Sequence, residues 1–225
     1  MKERICKQDH EGINFDILRF IIRQSAVRLG CGLTLLAGIV AAGLLGLDRP
    51  VAAWVHSHAP HGNWLHQAGE GISILGLGGW YVVPPLLLFI WWQWVRPYRR
   101  WASLCLWLLG AQVLGSLAVR VLKILFGRWR PDQPLGGTFE YFSFKAKMNS
   151  FPSGHTCEVV AVVTVLWFVY PRLRPVYVCW ALLMALARVI AEAHYVSDAA
   201  AGAIVGIVSA IAWRRFTERA VRESA

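Results

Sequence analysis

Acidic residues are scarce in this sequence. It holds 13 Asp and Glu residues against 23 Lys and Arg residues, and charged residues make up only 16% of its 225 positions. A soluble domain carries about 25% charged residues, so this composition excludes a typical soluble protein. Nucleic-acid binding is also disfavoured, because the basic residues flank apolar runs and do not form one basic stripe.

The sequence also lacks paired cysteines. Cys6, Cys31, Cys105, Cys157 and Cys179 are scattered, and four of them lie in apolar segments. Without a CxxC spacing, they indicate neither a disulfide framework nor a zinc site built on cysteine. We interpret them as packing residues.

Apolar residues are abundant, at 56% of the chain. A membrane-spanning helix needs about 20 mainly apolar residues. Six segments satisfy this requirement: roughly 29–47, 71–95, 101–123, 152–170, 176–193 and 197–213. The sequence therefore predicts an all-α polytopic membrane protein, with six transmembrane helices in one bundle and residues 1–225 forming a single domain.

The segment 13–28 precedes the first predicted span and has two different faces. One face carries Ile13, Ile17, Phe20 and Ile21, whereas Asp16, Arg19 and Arg23 lie elsewhere. This pattern predicts a short amphipathic helix at the membrane interface. A cleaved signal peptide is disfavoured, because the apolar run begins late and five further spans follow.

The basic residues predict the orientation of the chain. With six spans both termini share one side, and most Lys and Arg residues fall there, in 1–28, 96–100, 171–175 and 214–222. That side is therefore cytoplasmic. The basic residues of the opposite side are Arg49, Arg120, Lys123, Arg128, Arg130, Lys145, Lys147 and Arg188. They oppose the orientation rule, so we expect most of them to bind an anionic group.

Three short blocks, 123–131, 151–156 and 188–198, carry ionisable residues from separate spans to this outer face. Lys123, Arg130 and Arg188 offer three cations suited to phosphoryl oxygens. Ser153 and Gly154 lie where a helix begins, so backbone N–H groups there favour an anion. Together the blocks predict a phosphoryl-transfer site within 123–198.

The third block also contains a histidine and an aspartate four residues apart. A carboxylate at Asp198 that bonds to one nitrogen of His194 leaves the other nitrogen as nucleophile or base. His155 then remains as an acid for the leaving group. A lone histidine at the end of a span is more often a packing residue, so the prediction rests on the combination.

In that order, the patterns K-x6-R-P, P-S-G-H and R-x5-H-x3-D resemble the signature of the type 2 phosphatidic acid phosphatase superfamily. This six-helix class includes bacterial undecaprenyl-diphosphate, phosphatidylglycerophosphate and lipid A phosphatases, and vanadium haloperoxidases are soluble relatives. The resemblance implies a hydrolase that needs no metal or other cofactor. The sequence departs from the pattern at Ala187, where serine is frequent, and at Ile190, where an aromatic residue is common.

The resemblance also implies a role for each motif residue. His194 attacks phosphorus to form a phosphohistidine, Asp198 orients it, and His155 protonates the leaving oxygen. The remaining motif residues bind phosphate: Lys123, Arg130, Ser153, Gly154 and Arg188.

Other features remain open. The first outer loop holds His56, His58, His61 and His66, but no nearby Cys, Asp or Glu spacing supports a metal there, so a solvated interfacial loop is favoured. Glu158 and Glu192 pair with a catalytic cation, tune a histidine or form structural ion pairs. The aromatic loop 132–150 is either a lid over the headgroup or an interfacial loop.

We therefore expect a membrane phosphatase that acts on a lipid phosphate or diphosphate at the outer face, in a bacterium the periplasmic or exterior face of the inner membrane. Undecaprenyl diphosphate is the first substrate candidate, phosphatidylglycerophosphate the second and lipid A the third. A lipid phosphotransferase with the same site and a non-catalytic lipid transporter are the alternatives. No nucleic-acid partner is expected.

Overall fold

The computed structural model describes residues 15–95, 99–133 and 136–223. Within these ranges there are eight α-helices: α1 (Phe15–Ala42), α2 (Asp48–His58), α3 (Trp64–Ile74), α4 (Gly78–Val95), α5 (Arg99–Phe126), α6 (Gly154–Val169), α7 (Arg174–Ile190) and α8 (Val196–Glu223). A π-turn at Gly43–Leu47 and 3-10 turns at Ala146–Met148 and Pro171–Leu173 connect some of them. These ranges contain isolated β-bridges but no named strand, which confirms the all-helical class.

Five helical segments of the described chain are long and apolar enough to cross a membrane. They are Arg28–His58, Trp64–Trp91, Leu104–Phe126, Pro171–Ile190 and Val196–Thr217, and each overlaps a predicted span. The remaining predicted span, 152–170, corresponds to α6, which has only 16 residues. Because about 20 residues are needed to cross the bilayer core, the membrane character is confirmed, whereas the count of six spans stays a prediction.

The chain divides into two compact units, Met1–Leu35 and Leu36–Ala225. In the first unit the described backbone is the beginning of α1. The predicted amphipathic helix begins at Ile13, outside the described residues, and the side chains before Arg28 are not described either. That helix therefore stays a prediction, as does the single-domain organisation. All three motif blocks lie in the second unit.

Helix α6 lies at the centre of the second unit and packs against α5, α7 and α8. Its side chains Val159, Ala161 and Val165 are buried, together with Ala111 of α5 and Ala210 of α8. Small side chains allow such close packing between helices in membranes. The result is a tightly packed apolar core beneath the motif blocks.

A glycine of α8 fixes how closely this helix approaches the start of α6. A Cβ atom at Gly202 would lie 2.3 Å from the carbonyl oxygen of Ser153. Any larger residue would therefore push the two helices apart. This contact positions Ser153 beside the first turn of α8, and its N–H donates to the carbonyl oxygen of Asp198 at 2.9 Å.

The ends of four helices meet on one side of the bundle. Helix α5 ends at Phe126, the segment 127–153 folds back over this end, and α6 then begins at Gly154. Gly127 starts the segment with a φ of +49°, and a Cβ there would lie 1.9 Å from the carbonyl oxygen of Glu140. Helix α7 returns to the same end and α8 starts there, so the three blocks converge as predicted.

Candidate active site

The backbone holds the imidazole of His194. Its Nδ1 atom lies 2.7 Å from the carbonyl oxygen of Ser150, and a carbonyl oxygen can only accept. Nδ1 therefore carries the proton, and Nε2 carries the lone pair. The side chain is 2% exposed, and burial lowers the pKa of His194 to about 4, although the Asp198 carboxylate opposes this shift. The ring is thus neutral at neutral pH and has a nucleophilic nitrogen.

Asp198 supports this histidine indirectly. Its Oδ2 atom is 3.7 Å from Nδ1 of His194, too far for a hydrogen bond. The same oxygen accepts from the Ser150 hydroxyl at 2.5 Å and from the Tyr195 N–H at 2.9 Å. The sequence predicted a direct hydrogen bond between Asp198 and one ring nitrogen of His194. The Ser150 carbonyl accepts from that nitrogen instead. The catalytic role of Asp198 stays a prediction, now through Ser150.

Arg128 is a buried residue that contacts Asp198, and it was not among the predicted site residues. It is 3% exposed. One guanidinium nitrogen, Nη1, donates to Asp198 Oδ1 at 2.5 Å and to Ser197 Oγ at 2.7 Å, and the other, Nη2, donates to Asp48 Oδ2 at 2.7 Å. The ring of Tyr195 covers one face of the guanidinium, 4.1 Å from its carbon to the ring centroid.

This network joins three distant parts of the chain. Asp48 begins α2, Arg128 follows α5, and Ser197 and Asp198 lie in the first turn of α8. The backbone N–H of Ser197 donates to Asp48 at 3.1 Å, and its hydroxyl also donates to that carboxylate. One sequence signal was available for this network. Asp48 is an isolated acid at the end of an apolar run, and such residues usually have a buried partner.

The three predicted phosphate-binding cations converge. Lys123 lies in the last turn of α5, Arg188 in the last turn of α7, and Arg130 in the segment after α5. They are close enough to interact electrostatically with one another and with His155. The Nε atoms of Arg130 and Arg188 are buried and have no hydrogen-bond partner among the residues that the structure describes. Such a concentration of positive charge favours an anionic ligand.

The second block forms the start of α6, where Ser153 is the N-cap residue. The Ser153 side chain is fully buried, and its hydroxyl accepts from Thr156 at 3.1 Å. Its N–H already donates to Asp198, so this donor is not available to a ligand. The next N–H groups of the helix, from Gly154 and His155, remain the candidates for contact with an anion.

A cavity of about 490 Å³ opens beside Lys123 and His155. Its walls include Lys123 and Arg120 of α5, His155 and Glu158 of α6, and Phe144 of the 127–153 segment. Glu158 accepts from the Ser116 hydroxyl at 3.5 Å. Clefts of this size with a few convergent polar groups are typical ligand sites.

The comparisons with known proteins agree with this geometry. The family model described as the PAP2 superfamily matches residues 100–222, more than half of the chain and all three motifs. The chain belongs to the PAP2 superfamily. The resemblance of the three motifs to the type 2 phosphatidic acid phosphatases is thereby confirmed.

Curated relatives support the same assignment. A lipid A 1-phosphatase of Rhizobium etli is 31% identical over 195 residues, which are 78% of this chain and 81% of the relative. A lipid A 1-phosphatase of Rhizobium johnstonii is also 31% identical, over 72% of this chain and 70% of the relative. This chain is accordingly an integral membrane PAP2 phosphatase, a hydrolase that acts on a phosphoric ester.

Two solved structures share the fold. Aquifex aeolicus LpxE matches with a TM-score of 0.57 and 24% identity, over 76% of this chain and 96% of that chain. A PAP2-type phosphatidylglycerolphosphate phosphatase from Bacillus subtilis matches with a TM-score of 0.59 and 21% identity, over 84% and 95% of the two chains. At these identities the similarity concerns the fold.

Proposed function

We propose that this protein removes the 1-phosphate of a lipid A-type glycolipid at the outer face of the membrane, through a phosphohistidine intermediate. The observation that supports this mechanism most directly is the charge and tautomer of the His194 ring. The ring is neutral, its Nδ1 proton is fixed on the Ser150 carbonyl, and its Nε2 lone pair is available. Three cations stand nearby to hold the phosphate.

The first chemical step is attack of Nε2 of His194 on phosphorus. The N–P bond forms while the bond between phosphorus and the lipid oxygen breaks, and the electron pair of that bond leaves with the oxygen. His155 donates its proton to this oxygen. Lys123, Arg130 and Arg188 stabilise the charge on the non-bridging phosphoryl oxygens. The negative charge of the bound phosphate offsets the three cations that otherwise disfavour protonation of His155.

The second step returns the enzyme to its starting state. Water attacks the phosphohistidine, the N–P bond breaks with its electron pair returning to Nε2, and inorganic phosphate is released. His155 takes the proton from the attacking water and is ready for another cycle. Transfer to a second lipid hydroxyl in place of water gives the phosphotransferase alternative.

The relatives bear on the substrate. Two lipid A 1-phosphatases match most of their own length and most of this chain, and for this reason we place lipid A 1-phosphate ahead of undecaprenyl diphosphate, the first candidate from the sequence. Phosphatidylglycerophosphate is the third candidate. All three present an anionic phosphate group at the membrane surface, as the cationic site requires.

The surroundings of the cavity suit a lipid substrate. Tyr141, Phe142 and Phe144 are 64%, 73% and 82% exposed, and Phe144 also lines the cavity. Tyr side chains are enriched at the interface between lipid and water, and Phe side chains can insert into the adjoining apolar layer. We infer that this segment lies at the outer surface of a bacterial inner membrane, where it contacts the headgroup region of the lipid. It also acts as a lid over the bound phosphate.

The test is phosphate release by the purified protein from three lipids in mixed micelles: lipid A bearing a 1-phosphate, undecaprenyl diphosphate and phosphatidylglycerophosphate. We expect the highest kcat/KM for lipid A, and His194→Ala serves as the matched control for contaminating phosphatases. A higher kcat/KM for either other lipid would overturn the substrate assignment. Consumption of substrate without phosphate release, with a phosphorylated acceptor lipid seen by mass spectrometry, would establish the phosphotransferase.

A further inference from the structure

Glu192 lies among the histidines of the first outer loop. Its Oε1 atom is 2.8 Å from Nδ1 of His56, and its Oε2 atom is 2.9 Å from Nδ1 of His61. The His61 ring lies against the ring of His66, with 4.4 Å between centroids. The sequence of the loop lacks a carboxylate for these histidines. The fold supplies one from Glu192, which lies 136 residues further along the chain than His56.

We propose that His61, His66 and Glu192 form a binding site for a late first-row divalent cation such as Zn²⁺, separate from the phosphate site. One ligand atom from each of these residues lies within 4.8 Å of the others. Two imidazole nitrogens and one carboxylate oxygen suit Zn²⁺ and its neighbours. Mg²⁺ and Ca²⁺ prefer sites made of oxygen ligands only.

The burial of these residues supports a ligand. His66 is 4% exposed, and its Nε2 atom is buried with no hydrogen-bond partner in 15–95, 99–133 or 136–223. Glu192 is 3% exposed, and a carboxylate in that position needs a compensating cation. His56 bonds to Oε1 of Glu192, but Oε2 of Glu192 and Nε2 of His66 are both buried without a hydrogen-bond partner among the described residues. A metal ion satisfies both.

The backbone of Glu192 is also unusual. Its φ is +49°, a left-handed conformation that is unfavourable for a residue with a Cβ and that persists where the surroundings enforce it. His56 contacts the other carboxylate oxygen, as an outer partner that orients a metal ligand does. The ion would link the start of α3 to the turn before α8. This turn also carries His194, which lies two residues after Glu192. Its role is structural, since the phosphate is held by other residues.

The test uses the full chain, purified with a tag that contains no histidine, treated with EDTA and desalted. Titration with Zn²⁺ against a chromophoric chelator should show about one tight site per chain. His66→Ala and Glu192→Gln should weaken binding by roughly 100-fold or more, and His56→Ala by about 10-fold. His58→Ala is the matched control, because His58 bonds to Ser57 and the Trp54 carbonyl and should bind Zn²⁺ like the parent protein.

If His66→Ala or Glu192→Gln fails to fold, His61→Ala still tests the proposal, because the His61 side chain is 61% exposed. Circular dichroism and size-exclusion chromatography verify its fold, and its Zn²⁺ affinity should also fall by roughly 100-fold. Co²⁺ in place of Zn²⁺ should give visible absorption bands that are lost in His61→Ala and kept in His58→Ala. A parent protein that binds no Zn²⁺, or equal affinity in His61→Ala and His58→Ala, would overturn the proposal.

Discussion

The guanidinium of Arg128 donates to the carboxylate of Asp198 across 2.5 Å, and both side chains are buried. Asp198 lies at the start of α8 and holds the Ser150 hydroxyl, while the Ser150 carbonyl holds His194. Three contacts, through Asp198 and Ser150, therefore connect Arg128 to the ring of His194. Its buried position suits a role in positioning His194.

Arg128→Met should destabilise the protein and lower its activity. The substitution leaves Asp48 and Asp198 buried without their cation, and breaking a buried ion pair in this way costs about 3 to 5 kcal/mol. Thermal unfolding in detergent measures the effect, and Arg172→Met, at an exposed position in the turn before α7, is the control. Equal midpoints for the two variants would contradict the structural role of Arg128.

Ser150→Ala and Asp198→Asn should affect kcat/KM in a non-additive manner. If Asp198 acts on His194 through Ser150, either change breaks the same connection, so the double variant should be little worse than Asp198→Asn. Steady-state kinetics of both single variants and the double variant measure the coupling. Independent, multiplicative effects would mean that Asp198 supports catalysis by another route.

His194→Ala should abolish turnover while the protein still inserts and binds phosphate. The loss of a covalent nucleophile should reduce kcat by about four orders of magnitude or more. The measurement combines phosphate release with binding of a non-hydrolysable phosphonate lipid. Near-normal turnover in this variant would refute the phosphohistidine mechanism.

Phosphatase activity should survive chelation by EDTA and be inhibited by vanadate. In the proposed mechanism Lys123, Arg130 and Arg188 already supply three cations at the phosphate, and vanadate adopts the five-coordinate geometry of in-line attack. The rate before and after EDTA, measured well below the unfolding temperature, gives the result. Loss of activity that added divalent metal restores would contradict a metal-free reaction.

The orientation of the active site is tested by labelling single cysteines in a background without native cysteines. Lys147 lies on the motif side of the bundle and Leu173 in the turn before α7, and both side chains are exposed. A membrane-impermeant thiol reagent applied to intact cells should label position 147 and spare position 173, because basic loops remain in the cytoplasm. The reverse labelling pattern would place the chemistry in the cytoplasm.

The sequence was sufficient to predict the helical membrane class, the approximate spans and the family. These properties depend on apolar runs of bilayer length and on residue types at short spacings, and both are local. The convergence of Lys123, His155 and His194 was also predictable, because alternating spans bring every second connection to the same face.

The tertiary structure alone decided the contacts that support the motif residues. Arg128 binds Asp48, which lies 80 residues away, Ser150 holds His194, and Glu192 meets His56 and His61. Each pairing depends on how the segment 127–153 and the turn before α8 fold against distant helices. Such contacts have no short-range spacing in the sequence, because they arise when buried charges and polar atoms are withdrawn from water and must find partners wherever the packed chain supplies them.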